Sequence, residues 1–456
     1  MRRGLALLVA GAFFMEILDA TVIAPAAPHI AADLGVAPVT INVTITAYVL
    51  TLAVLIPISG WLTERYGARR IFMTAVLVFT LASAGCALAV NLPMLVGTRI
   101  LQGVGGAMMV PVGRLVVIRT TEKKDLVRAI AYLTWPALVA PLIAPALGGV
   151  LSTYASWRLI FVVNLPLGLA ALLLARRLVP EVRAENAGRL DWRGFALVAV
   201  GLAALVAGLE GVAATRPRWP LASAELIIAV AMLTAAVVYL LTARKPLLDL
   251  RILKVSTYRV TALGGSVFRA VIGAAVPFLL PLFFQLGFGW TAAQAGLAMI
   301  ALFAGNVGIK PATTAMMRAL GVRSMMLMAV LTSAAILVAL AFTGPGTPIV
   351  LLLTVLLLSG VFRSIGFTTY NTMAFADVPP ERMTSANSLM STIQEVGSGL
   401  GVALGALLVR LGAGLTNAEF RFALIALAAL LTVPALEAIR LPRSAGNEVA
   451  GRGSAR

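Results

Sequence analysis

One cysteine and one histidine stand in 456 residues, so the side chains behind most protein zinc and redox chemistry are nearly missing. Cys86 alone excludes an intrachain disulfide framework and a cysteine-based zinc site. His29, near the outer end of the first apolar run, reads as a surface residue, and no metal site is expected. Charge is also scarce, at 12% of residues, where a soluble domain carries about 25%. No G-x-x-x-x-G-K-[ST] loop occurs, which argues against ATP as the energy source. Nor is there an H-E-x-x-H, C-x-x-C or G-x-S-x-G pattern. The glycine-rich ILQGVGGAMM lies inside an apolar run with no strand before it, so it is a packing surface and not a dinucleotide loop.

What fills the chain is apolar. Sixty per cent of the residues are hydrophobic and the mean hydropathy is +0.99. Nearly everything falls into stretches of about 20 residues, the length that crosses a hydrocarbon core. About fourteen such spans are expected on that length criterion, approximately 5–25, 40–62, 71–90, 94–117, 128–152, 158–176, 194–212, 222–242, 260–284, 293–317, 324–343, 347–372, 384–409 and 420–439. The net charge of +18 comes from 36 basic and 18 acidic residues. With the N-terminus inside, 26 of those 36 fall on inner loops and tails, five on outer loops (Arg158, Arg216, Arg218, Arg410 and Arg421) and five within spans. That asymmetry puts both termini in the cytoplasm. The basic stretches lack interleaved aromatics, so no nucleic-acid partner is expected. The Arg2-Arg3 start mimics a signal peptide, but acids inside a full-length first span favour an uncleaved helix.

Those acids, Glu16 and Asp19, are the most informative pair. A charged side chain at mid-bilayer costs about 2.5–3.5 kcal/mol on insertion scales, a cost seldom retained for packing. Three residues apart, the two are expected to share a helix face, where they could bind and release protons. The chain divides into residues 1–178 with six helices, 179–254 with two central helices between basic, Pro-containing segments, 255–440 with six more, and a polar cytoplasmic tail, 441–456, expected to be disordered. The two large blocks look like weak copies. Arg65-Tyr-Gly67-Ala-Arg69 in the first matches Arg318-Ala-Leu-Gly321-Val-Arg323 in the second, and APLIAPALGG matches GSGLGVALG. Small residues at these spacings let helix backbones approach closely. Repeated six-helix halves are the architecture of alternating-access carriers, with the substrate near the midplane.

Five stretches in order resemble the major facilitator superfamily and, within it, the fourteen-helix drug:proton antiporters of the EmrB/QacA type. They are LDATV at Leu18–Val22, GWLTERYGARR at Gly60–Arg70, LVGTRILQGVGGA at Leu95–Ala107, VAPLIAPALGG at Val139–Gly149 and WRLIFVVNLPLG at Trp157–Gly168. The resemblance implies an all-α membrane protein with the major facilitator fold: two six-helix bundles plus two additional central transmembrane helices. Glu64 stands where the loop motif usually has Asp, Ala144 replaces a glycine of the fifth-helix motif, and Glu16 sits where an uncharged residue such as Gln is usual. The loop residues Gly60, Glu64, Arg65, Gly67, Arg69 and Arg70 are implied to form a cytoplasmic gate; they also serve as positive-inside determinants. Pro141, Pro145, Gly148 and Gly149 carry the antiporter motif and would shape a bend where the halves meet, ordinary helix packing being the alternative.

Counting 1.5 Å per residue puts Asp19 about 9 Å below the outer end of its helix and Arg99 roughly 8 Å in from the same side. Asp19 is therefore the expected proton acceptor, with Arg99 as the neighbour that tunes it; a buried ion pair orienting two helices is the competing reading. Glu16 is the second candidate. In the second half Arg269, Arg363 and Glu395 reach mid-depth, and Glu395 is the expected second protonation site unless the three form a neutralised structural triad. The positive surplus, with Lys310 one helix away, leaves room for an anionic or zwitterionic substrate. Phe13, Phe14, Tyr48, Trp135, Phe268, Phe284, Gln285, Arg269 and Arg363 are candidate cavity linings. The expected function is proton-coupled efflux of amphipathic small molecules or drugs across the bacterial inner membrane, with the proton gradient and no cofactor as energy source. The partners are small molecules, protons and the lipid bilayer, and a periplasmic adaptor protein is admitted. A carrier for a specific metabolite, siderophore or peptide-like compound is the alternative; a membrane-embedded lipid enzyme is the weaker one, since only His29 could serve a catalytic set at the interface.

Overall fold

The structure, a computed structural model, describes residues 3–121, 126–181, 190–213, 219–244, 246–379, 382–412 and 417–441, without the side chains of 118, 119, 126–138, 210, 213, 384 and 417. Residues 442–456, the expected tail, and the side chain of Trp135 lie outside the described residues. The first half holds α1 (Arg3–Leu34), α2 (Asn42–Tyr66), α3 (Ala68–Ala87), α4 (Leu92–Thr120), α5 (Leu126–Tyr154), α6 (Leu159–Val162) and α7 (Asn164–Leu178). A pair follows, α8 (Trp192–Ala213) and α9 (Trp219–Thr242). The second half holds α10 (Ser256–Phe268), α11 (Val276–Leu282), α12 (Ala292–Gly308), α13 (Lys310–Leu320), α14 (Val322–Ala341), α15 (Ile349–Ala374), α16 (Met383–Leu411), α17 (Asn417–Leu430) and α18 (Thr432–Arg440).

Helices are what a lipid environment permits, because each closes its own backbone hydrogen bonds. Among the described residues twelve spans are long and apolar enough to cross a membrane. The pair α12 and α13 would add one more, although it bends by 51°. A single straight span over 293–317 was expected. The break falls at Ile309, just before Pro311, whose missing N–H cannot extend the hydrogen-bond ladder. A second irregularity joins α10 to α11: residues Arg269–Ala275 wind as a π-helix, and Phe283–Gly287 repeat this after α11. Such insertions displace side chains from the regular α register.

The halves repeat one packing scheme. Helix α1 lies on α5 as α10 and its π-helical extension lie on α16, and α2 lies on α4 as α12 lies on α15. The repeat reaches individual residues. Gly67 (φ +91°) and Gly321 (φ +84°) each turn the chain between helices with a backbone conformation open essentially only to glycine. Two residues on, Arg69 donates from Nε to the Val179 carbonyl at 2.6 Å, and Arg323 donates from Nη2 to the Ile439 carbonyl at 2.8 Å. The pair α8–α9 packs mainly on itself and touches α2 and α16. Only 17% of the most apolar stretch of α9 is buried, the lowest share of any span, so most of that helix is free to face lipid.

Candidate functional site

The halves meet along α5 with α12, α2 with α16, and α1 with α11. The individual contacts concentrate at the end of the bundle away from both chain termini. A Cβ at Gly149 would collide with the Ala292 carbonyl, and one at Gly296 with that of Pro145, so these two helices cross backbone to backbone. Gly148 lies against the Val22 carbonyl in the same manner. Ala293 N–H donates to Thr153 Oγ1 at 3.0 Å, Arg410 Nη2 to Thr40 Oγ1 at 2.7 Å, and Gln285 Nε2 to the carbonyls of Pro25 and Pro281 at 2.9 and 3.0 Å. Of the antiporter-motif residues, Pro145, Gly148 and Gly149 therefore sit on helix contacts, while Pro141 is half-buried with no partner across the halves among these contacts. Ala144 is fully buried, so its extra methyl is accommodated.

Below this closed end lies a cavity of about 170 Å³. Ala20, Ile45, Val49 and Pro145 wall it from the first half, and Pro277, Phe278, Met299, Phe303 and Glu395 from the second. Its size suits one aromatic ring, since a cavity of about 150 Å³ takes up benzene. Of the residues expected to carry protons, Glu395 is on its wall. The aromatic and polar linings expected from sequence stand elsewhere. Phe13 and Phe14 pack into the apolar core, Phe268 and Phe284 are fully buried, Tyr48 lies fully buried beneath Arg99, and Gln285 belongs to the closed end.

Asp19 and Arg99 do meet, as an ion pair with both side chains excluded from solvent. The carboxylate of the pair is saturated from within the first half, while Arg99 Nη2 is buried without a partner. Asp19 Oδ1 accepts from Gln102 Nε2 and from Asn164 Nδ2, both at 2.8 Å, while Oδ2 accepts from Arg99 Nη1. Gln102 also accepts from Arg99 Nη1 at 2.7 Å and donates to Ser83 Oγ at 2.7 Å. Arg99 Nε reaches the Thr44 carbonyl at 3.3 Å, and its Cζ lies 4.2 Å from the centre of the Tyr48 ring. The expectation did not include Gln102, Asn164 and Ser83, although the first two lie in motifs already singled out.

Glu16 is placed differently. Residues three apart sit about 60° apart around the helix axis, and here that offset separates the two acids. Asp19 turns into the first half, whereas Glu16 is half-buried, its Oε2 inaccessible to solvent and without a hydrogen-bond partner. The charges of Glu395 from the other half and of Asp19 both act on it. The expected common environment of the two acids is thus not what the fold provides.

In the second half Arg269 and Arg363 lie 4.6 and 5.3 Å from the centre of one ring, Phe367, and Arg363 lies 5.3 Å from Phe303 as well. Arg363 Nε and Nη1 are buried without an acceptor. Lys310 donates to Thr368 Oγ1 at 3.2 Å. Among the described residues none of the three cations makes an ion-pair contact with an acid, although the charges of Arg269 and Glu395 act on each other.

At the end nearer the termini, Arg65 and Arg70 are exposed and unpaired with any described residue, Gly60 is exposed, Glu64 is half-buried, and Gly67 is buried. A Cβ on Gly67 would strike the Glu181 carboxylate, so this turn lies beneath the segment leading to α8. Among the described residues no group of three or more His, Cys, Asp or Glu side chains could hold a metal ion.

A sequence profile of the Major Facilitator Superfamily matches residues 9–402 and 261–453. The protein named MdtD, for multidrug resistance, from Cronobacter sakazakii is 38% identical over 449 residues, covering 95% of this chain and 94% of its own. Its namesake from Escherichia coli is 36% identical over 454 residues, covering 97% and 95%. Among solved structures, a D-xylose–proton symporter superposes with a TM-score of 0.70 at 15% identity, covering 97% of this chain and 98% of its own. A peptide-bound transporter of the POT family gives 0.71 at 15%, covering 96% and 95%. At that identity these two speak for the fold alone.

Proposed function

We propose that this chain, which belongs to the Major Facilitator Superfamily, exports amphipathic small molecules in exchange for protons. Membership makes it a multi-pass membrane transporter and not an enzyme. Export of drug-like compounds is supported by the MdtD relatives, whose names refer to multidrug resistance. Placement in the fourteen-helix branch is supported by the α8–α9 pair between the halves and by counting the bent α12–α13 pair and α5 each as one span. The excess of basic residues on one set of loops supports the bacterial inner membrane with cytoplasmic termini. In that orientation the closed end faces outward.

The observation that carries the proton coupling is Glu16: a carboxylate oxygen without a partner, on one half, within electrostatic reach of Glu395 on the other. In the proposed cycle, the inward-facing acids lose protons to the cytoplasm and accept substrate. Opening to the outside exposes them to higher proton activity, protonation displaces substrate, and the neutralised pair permits return. Asp19, with both carboxylate oxygens engaged, and Arg99 hold the first half together, and Asp19 sets part of the field at Glu16. The loop residues Glu64, Arg65, Arg69 and Arg70 would bridge the cytoplasmic ends when that side closes.

The test is an efflux and growth-protection screen across cationic, neutral and anionic compounds in a pump-deficient host, followed by pH measurements in everted vesicles. Compounds that protect should also dissipate an imposed pH gradient; protection without proton movement would contradict the exchange. A carrier for one metabolite, siderophore or peptide-like compound is the second reading. The unpaired cations of the second half favour it, because fixed charges select their ligands.

A further inference from the structure

We infer that the substrate is a zwitterion: an apolar molecule with a single ring or short chain, bearing an ammonium and a carboxylate. The inference rests on the export reading above and names the chemical class that the same cleft would select. It starts from a mismatch of charge. Intramembrane cations ordinarily pair with acids or backbone carbonyls, yet among the described residues Arg363 and Lys310 have no acid in contact, and beside them Arg269 has the charge of Glu395 acting on it without an ion-pair contact. Arg269 and Arg363 are gathered on the ring of Phe367. Cation–π contact with an aromatic face offsets only about 0.5–2 kcal/mol each, well short of what an unpaired buried guanidinium requires. Arg363 holds two N–H groups without acceptors. A planar guanidinium with free donors is suited to a carboxylate.

The acids supply the other end. Glu395 stands on the cavity wall, and Glu16 presents an unpartnered oxygen from the facing half. If a plain anion were the substrate, protonating these acids would tighten its binding, and the two would move together. Exchange requires that substrate and proton compete. An ammonium on the same molecule restores that competition, because it and the proton seek the same carboxylates. The carboxylate end meanwhile anchors on the cations. Between the two ends Phe303 links the charges to the apolar space: it lies on the cavity wall and under Arg363. Glycine at 273 leaves room beside Phe367 and Arg269, where a Cβ would come within 2.9 Å of the ring and 3.2 Å of the arginine stem.

Three probes with a common tail and fixed charge separate the alternatives: dimethyl(4-phenylbutyl)glycine betaine, trimethyl(4-phenylbutyl)ammonium and 6-phenylhexanoate. Binding is measured by equilibrium dialysis of the purified protein, and transport in proteoliposomes with an imposed pH gradient. The betaine should bind at least tenfold tighter than either singly charged probe. Arg363→Gln should reduce betaine affinity to that of the ammonium and leave the ammonium unchanged, while Arg363→Lys should keep most of the preference and shows that the fold survives a change at this position. Glu16→Gln should bring the betaine down toward the carboxylate probe. Equal binding of betaine and ammonium, no binding of the betaine, or an equal loss for both probes in Arg363→Gln overturns the inference. Gradient-driven transport without this selectivity leaves the export reading standing and removes the zwitterion. Selectivity without gradient-driven transport does the reverse.

Discussion

Asp19 and Arg99 form an ion pair from which solvent is wholly excluded, and every oxygen of the carboxylate is engaged. Breaking such a pair costs far more than the pair contributes, because the surviving charge is stranded. Asp19→Asn should destabilise the protein by about 3–5 kcal/mol, read as a lower melting temperature in detergent. Asp19→Leu combined with Arg99→Met, which removes both charges, should recover much of that loss. A single variant that melts with the native protein would show the network to be dispensable.

The closed end predicts a cross-link. Ala293 N–H bonds to Thr153 Oγ1 at 3.0 Å across the halves, and Cys86 is the only cysteine. In a Cys86→Ser background, Thr153→Cys with Ala293→Cys should form a disulfide under mild oxidation and stop transport until reduced. Full transport by the oxidised double variant would mean that these helices do not separate during the cycle.

Gly67 and Gly321 should respond alike to substitution, since both hold φ near +90°. An alanine there is expected to cost about 1–3 kcal/mol from backbone strain. Thermal melts of both variants should therefore fall below that of the native protein; a variant melting with the native protein would contradict the strained turn.

Much of this was legible in the chain because it follows from spacing. The matched Arg-x-Gly-x-Arg and Arg-x-x-Gly-x-Arg turns predicted the repeat, and helix rise placed Asp19 and Arg99 at one depth. What eluded the sequence depends on rotation and on tertiary contact. A helix-face argument cannot resolve a 60° offset until the neighbours are known, so Glu16 and Asp19 were grouped although the fold divides them. Gln285 and Tyr48 look like cavity residues by polarity and aromaticity, yet a backbone carbonyl and a guanidinium claim them first. Gln102 and Asn164 were readable as polar groups in apolar spans, and only their meeting at Asp19 was hidden.

The central claim is that Glu16 carries the exchanged proton, and it is tested most directly by substrate-driven proton flux in proteoliposomes containing a trapped pH dye. Using the compound that gives the strongest protection in the efflux screen, the native protein should move protons against substrate. Glu16→Gln should abolish that flux while retaining, at raised substrate concentration, exchange of labelled for unlabelled substrate, which needs no proton. Native proton flux in Glu16→Gln would contradict the account.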